Sequence, residues 1–277
     1  MLKAQYMRIF KVIWQFLKDI YKNRYTIYQL TKRDYKSKYI GSNLGFAWSI
    51  IQPFVMITVL WFVFTKGLKV GPMGGGDVPF VAWLTIGIIA WDLFATTLMG
   101  ATNVFQEYSY LVKKINFRFS ILPIVKLLSS SITHCFLLII GMVVLLSNGI
   151  SFSFYWFQGI YYFFASLVLL LGLSWITSSI QVFHKDISQI VTTVLQVGFW
   201  ATPIFWDFSM VPEKYQFLFK LNPMFYIVEG YRRSFIYHAP FWEARDIGLY
   251  FWITTLTILI LGIVTFKKLK PNFADVL

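Results

Sequence analysis

Apolar positions in this chain gather into long, nearly uninterrupted runs separated by short polar stretches. About 20 apolar residues carry a helix across a bilayer. Six runs meet or approach that length, and they predict spans at 46–65, 80–101, 119–146, 159–183, 190–206 and 247–266. The third run is long enough to include a turn at its start. The fifth is short and interrupted at Pro203.

Between the runs the pattern changes to one-sided periodicity. Ile9, Val12, Ile13, Phe16, Leu17 and Ile20 recur at helical spacing, with Lys11, Gln15, Lys18, Asp19 and Lys22 opposite them. That is a basic amphipathic helix suited to lie in a membrane interface. Val104, Tyr108, Leu111, Val112 and Ile115 form a second stripe, with Asn103 placed to cap it and Gln106 at N3. After the fifth run, Pro212-Glu213 and Asn222-Pro223 are helix starts. They predict two short helices, 212–221 and 223–237, too short for a hairpin across the bilayer and suited to half-insertion on the outer side.

Composition agrees with a membrane fold. Hydrophobic residues make up 57% of the 277 and charged residues 13%, about half the charge of a soluble domain. The expectation is an all-α integral membrane protein with one six-span domain, 46–277. It is preceded at 1–45 by the interface helix and a basic collar. No continuous apolar h-region precedes the first span, so that span is expected to act as the insertion signal.

Net charge is +13. In a membrane chain this reads as topology and contact with anionic lipid, not as nucleic-acid binding. With both termini inside, inner segments hold 17 Lys and Arg and outer segments 7. Both termini are therefore expected in the cytoplasm, with the protein in the plasma (inner) membrane. Cys135 is the single cysteine, which excludes an internal disulfide and a cysteine-cluster metal site.

Several segments have candidate chemistry. Arg33, Lys36 and Lys38, beside Tyr35 and Tyr39, stand before the Gly41-Ser42-Asn43 break and the first span. They read either as stop-transfer charge or as a cationic rim for phosphate. Each such charge contributes about 1 kcal/mol near an anionic surface. The 103–118 loop, with Phe105, Tyr108, Leu111, Lys113 and Lys114, is a helix that a cytoplasmic partner could push, and 184–189 is a shorter loop that could dock similarly. On the outer side Glu229 and Arg233 stand at i, i+4 and are expected to pair.

Two charges fall inside spans. Asp92 is near the middle of the second, where a charge costs about 2.5–3.5 kcal/mol. Lys126 is about 10 Å into the third. Their similar depths in antiparallel spans predict an Asp92–Lys126 pair. The rival reading has Lys126 snorkelling inward and Asp92 facing water or a partner helix.

The chain has no G-x-x-x-x-G-K-[ST], hence no P-loop of its own. His134, His184 and His238 lack metal-ligand spacing, so no metal site is expected. A membrane enzyme acting on polyprenyl phosphate would have Asp34 as its one acid beside the headgroup. An ion-coupled transporter is disfavoured by the single central carboxylate and the absence of broken paired repeats.

The residues also resemble a known family. RDYKSKYIGSNLGFAWSIIQP (33–53) is similar to the stretch leading into the first span of ABC-2 type permeases that export polysaccharides. LVKKINFRFSILP and LNPMFYIVEGYRRSF resemble that family's loop into the third span and its segment before the last. Phe117-Arg118 stands where the family's pattern has a Pro. The likeness covers essentially the whole chain and leans toward teichoic-acid translocation permeases, with O-antigen permeases close by.

The resemblance implies a half-transporter rather than an enzyme. Two copies would form a homodimeric pathway, powered by two copies of a cytoplasmic subunit that holds ATP and magnesium; this chain needs no cofactor. The cargo would be a lipid-pyrophosphate-linked polymer for cell-wall biogenesis, with O-antigen, lipid or drug export as alternatives. Arg33, Lys36, Lys38 and Tyr39 would meet phosphate. Trp48, Phe54 and Trp61 in the first span and Phe199, Trp200 and Phe205 in the fifth would stack on sugar rings. The 103–118 helix would couple to the ATPase, and Asn222, Pro223, Glu229 and Arg233 would belong to an external gate.

Overall fold

The computed structural model describes residues 18, 20–38, 43–74, 76, 78–112 and 118–276. Secondary structure among them is helical apart from an isolated bridge between Met73 and Val78. The predicted interface helix at 9–20 lies, except for Lys18 and Ile20, outside the described residues.

Helix α1 (Arg24–Ser37) precedes the first apolar helix, α2 (Trp48–Trp61), which runs on through a π-helical turn at Phe62–Gly67. Helix α3 (Phe80–Thr102) is followed by two short turns of helix, α4 (Val104–Glu107) and α5 (Ser109–Val112). A 3-10 turn at Phe119–Ile121 opens the third span, and α6 (Leu122–Ser147) continues it with Pro123 in its first turn. The remaining long helices are α7 (Gln158–Gln181) and α11 (Arg245–Leu269). Among the described residues, five stretches are long and apolar enough to cross a membrane: Trp48–Gly67, Phe80–Thr102, Phe119–Ser147, Phe154–Gln181 and Phe241–Asn272.

The expected span at 190–206 is cut short. Helix α8 (Ile187–Ala201) has 15 residues, about 22 Å at 1.5 Å each, less than a hydrocarbon core of about 30 Å. Pro203 pushes the residue before it out of the helical region, and Thr202 is extended at φ −88°, ψ 137°. Residues 202–205 then run non-helically and buried through the bundle.

Both short helices expected after the fifth run form, as α9 (Glu213–Lys220) and α10 (Pro223–Phe235). The Asn222 side chain caps α10 by accepting from the Met224 N–H at 3.0 Å. The last helix, α12 (Phe273–Val276), packs Phe273 beneath the inner end of the bundle.

Helix α3 is the hub. Of its most apolar stretch 72% is buried within the chain, against 6% for α2. Helix α2 thus rests on α3 by one side and leaves Phe54, Val59 and Phe62 exposed. Helices α7 and α11 approach closely, so that a Cβ on Gly262 would meet the Gly172 carbonyl oxygen at 2.5 Å. Small residues are what let two backbones approach so closely in a membrane. Much of the aromatic content is core packing: Tyr226 stacks on Phe251 at 4.7 Å and meets Tyr162 at 5.3 Å.

Candidate functional site

At the end of the bundle beside α1, that helix turns Ile27, Thr31 and Asp34 toward the core at spacings of four and three. An acid on that face must find a partner. Asp34 is 1% exposed and accepts from Lys126 Nζ of α6 at 2.7 Å and from the Tyr108 hydroxyl at 3.1 Å. Lys126 also donates to Glu107 of α4 at 2.5 Å. One ammonium therefore joins three elements: α1, the loop between the second and third spans, and α6. Burial, then the Asp34 charge and hydrogen bond, push the Tyr108 phenol above its ordinary pKa.

The expected Asp92–Lys126 pair does not exist. Lys126 is only four residues into α6 and reaches Glu107 on the loop between the second and third spans and Asp34 on α1. Asp92 instead lines a cavity of about 370 Å³ between α2, α3 and α6, with Lys38, Trp48, Gln52, Thr96 and Thr133 among the other lining residues. Desolvation pulls the Lys38 ammonium below the ordinary lysine pKa; Asp34 opposes this shift and Lys126 adds to it.

The collar divides. Arg33, Lys36 and Lys38 are all exposed, but of the three Lys38 also lines the cavity, and the Arg33 guanidinium stands 5.5 Å from the Tyr110 ring centre. Tyr39 lies outside the described residues.

The predicted coupling stripe faces the bundle. Phe105 packs between Phe266 and Phe273 at 6.1 and 5.0 Å, Tyr108 is buried, and Leu111 lies against the same cluster. Among the described residues of this loop, Glu107 and Tyr110 are exposed. Lys113 and Lys114 lie outside the described residues. Asn103 occupies the cap position without capping by its side chain. Its side-chain carbonyl accepts from Gln181 Nε2 at 3.3 Å, and Gln181 Oε1 accepts from the Ser188 N–H at 2.8 Å. Gln181, which the hydrophobic pattern does not distinguish, thus links the two inner loops.

The span aromatics form two separate groups. Trp48 lines the polar cavity, while Phe54 and Trp61 line an apolar groove along α2. Phe199, Trp200 and Phe205 meet at the outer end of α8, with Phe205 buried at 4.6 Å from Trp200 and 5.7 Å from Phe199.

The outer helices are held differently from the expectation. Arg233 pairs with Glu243 at 2.7 Å, not with Glu229. Glu229 stands 3.8 Å from Arg232, one turn along the same helix. Arg232 is 1% exposed and lies over Trp83 of α3 at 3.3 Å from the ring centre. It donates to the carbonyls of Pro203 and Ile204 at 2.6 and 2.9 Å. The chain break after α8 leaves those carbonyls without a regular helical partner, and a buried carbonyl needs a donor. Arg232 supplies two.

Nearby, Asp207 accepts from the Gly74 N–H at 2.8 Å and the Ser209 N–H at 2.8 Å. Burial would raise its pKa; these hydrogen bonds and the Arg232 charge outweigh burial and hold it below the ordinary value. Gly74 has φ +73°, and a Cβ there would collide with the Tyr237 ring and hydroxyl.

The sequence pattern described as "ABC-2 type transporter" matches residues 25–236. An O-antigen export system permease protein RfbA of Klebsiella pneumoniae is 26% identical over 250 residues, 90% of this chain and 93% of that protein. The like-named protein of Myxococcus xanthus is 25% identical over 230 residues, 80% of this chain and 84% of that protein.

Proposed function

The chain belongs to the ABC-2 type transporter family, and from that premise we propose that it is the membrane half of an ATP-driven exporter of lipid-linked polysaccharide. Its cargo in this reading is wall teichoic acid, carried from the inner to the outer side of the plasma membrane. A second copy of the chain completes the pathway, and two copies of a separate ATP-binding subunit drive it from the cytoplasm, where both termini lie.

The observation that carries this reading is the junction at Lys126. An engine acting on the inner loop moves Glu107. Through one ammonium, that motion reaches the base of α6 and the collar helix α1 at Asp34. A ligand that binds two conformations equally shifts nothing. The drive therefore requires the partner's nucleotide states to prefer different positions of this loop. At the outer side, Arg232 joins α10 to the broken end of α8, so opening the pathway outward would move these two elements together.

The test is ATP-dependent uptake of labelled lipid-linked polymer by inside-out vesicles containing this chain and its ATP-binding subunit. Uptake with both subunits, and none with either alone, supports the proposal. Uptake by this chain alone, or ATP turnover without polymer movement, overturns it. The names of the similar permeases favour O-antigen as the second reading. Competition between teichoic-acid and O-antigen precursors in the same vesicles separates the two.

A further inference from the structure

Two cavities meet along α2. The polar one, about 370 Å³, and an apolar groove of about 130 Å³ share Pro53 as a wall. All three surrounding helices change character at the same level. Helix α2 passes from Ser49 and Gln52 to Ile57 and Trp61. Helix α3, running the other way, has Asp92 and Thr96 at the inner end and Val81 to Ile89 beyond them. Helix α6 passes from Ser130 and Thr133 to Leu137 and Val144. From Thr96 to Val81 the slot runs about 22 Å.

The polar end holds two opposite charges, Lys38 and Asp92, that face one cavity and attract each other without direct contact. Among the described residues, neither the Lys38 ammonium nor the Asp92 carboxylate has a hydrogen-bond or ion-pair partner, although both line one cavity. An ionisable group within a span calls for a polar counterpart.

We infer that this slot, within a single copy of the chain, holds the lipid anchor of the cargo: phosphate on Lys38, the first sugar between Trp48, Asp92 and Gln52, and the apolar tail along the groove toward Trp61. A cation takes phosphate. A carboxylate and a side-chain amide take sugar hydroxyls, and an aromatic face takes the ring. The slot thus presents these chemistries in the head-to-tail order of a phosphosugar lipid in the inner leaflet. Because α2 is held by one side only, with Phe54 61% exposed, a tail could slide in sideways from the bilayer. The inference rests on the reading that the cargo is lipid-linked.

The test uses the full complex with its ATP-binding subunit in phosphatidylglycerol-containing nanodiscs. Photoreactive p-benzoylphenylalanine replaces Phe54, and, as a control, Ile253 on the exposed face of α11. The probe is a radiolabelled polyprenyl-diphosphate N-acetylhexosamine present as a trace. Labelling at 54 well above 253, suppressed by unlabelled probe but not by added phosphatidylglycerol, supports the slot. Lys38→Gln, at an exposed position, is expected to weaken labelling about tenfold, and Asp92→Asn to weaken competition by the sugar-bearing lipid more than by polyprenyl diphosphate alone.

Equal labelling at both positions, or equal competition by phosphatidylglycerol, makes the groove an ordinary lipid surface and overturns the inference. A protein–protein adduct at 54 assigns the groove to a second copy and also overturns it. If vesicle uptake of polymer succeeds while 54 stays unlabelled, this inference fails and the proposed function stands. If uptake itself fails, the functional reading is the one at fault.

Discussion

Lys126 and Asp34, 92 positions apart in the chain, are joined by a 2.7 Å ion pair in which neither side chain is more than 8% exposed. Removing one partner of a buried pair costs about 3–5 kcal/mol, because the other charge is left stranded. Lys126→Met is expected to lower the thermal stability of the purified complex by that order. Adding Asp34→Asn should restore most of the loss. Adding Asp92→Asn should restore none; recovery with Asp92→Asn would reinstate the pairing that depth in the spans suggests.

Glu107 offers a milder probe of the same junction, since it is partly exposed. Glu107→Gln keeps the fold and removes the charge by which the loop holds Lys126. Polymer moved per ATP hydrolysed is expected to fall several-fold while ATP turnover persists. An unchanged ratio in vesicles would remove Lys126 from the transmission path.

Arg232 is required as an arginine. Arg232→Lys preserves the charge, but a single ammonium replaces the planar group that reaches two carbonyls while lying over Trp83. Leaving a buried carbonyl without its donor costs about 1–3 kcal/mol. The variant should unfold at lower temperature and export poorly. Arg233→Lys, whose partner Glu243 is 57% exposed, should be close to neutral.

The contact of α7 with α11 leaves no room for a side chain. Gly262→Leu is expected to cost about 1–3 kcal/mol or more by forcing the helices apart. Gly149→Ala, which meets nothing within 4 Å but has φ +82°, is a comparison in which only local backbone strain enters. Thermal unfolding of the two variants separates steric exclusion from conformational preference.

The link between Asp207 and Gly74 sets an acid limit at the end of the bundle that carries α9 and α10. The Asp207 pKa lies below its ordinary 3.8. A depressed carboxylate contributes fully to stability above the unfolded value, and the contribution is lost as pH falls through the folded one. Thermal stability measured from pH 5 downward should decline below about 3.8, and Asp207→Asn should flatten that part of the decline. An identical acid limb in both proteins would exclude Asp207 as its source.

The sequence by itself determined that this is an all-helical membrane chain, because burial in hydrocarbon requires long apolar runs and backbone groups satisfied within each segment. It also marked α9 and α10, since Pro212-Glu213 and Asn222-Pro223 act through local geometry that no distant contact needs to supply. The break after α8 was visible as Pro203, but the loss of the predicted length to 206 was not: Thr202 is extended before Pro203, the Ile204 N–H turns back to the Thr202 carbonyl at 2.7 Å, and Arg232 holds the Pro203 and Ile204 carbonyls. The partners of the charges belong to tertiary structure alone. Depth along a span is a one-dimensional quantity, and it placed Lys126 level with Asp92. Rotation about each helix axis decides which groups meet, and that is set by packing of all the helices at once. For that reason Lys126 found Asp34 and Glu107, Arg233 found Glu243, and Lys38 and Asp92 came to share a cavity without touching.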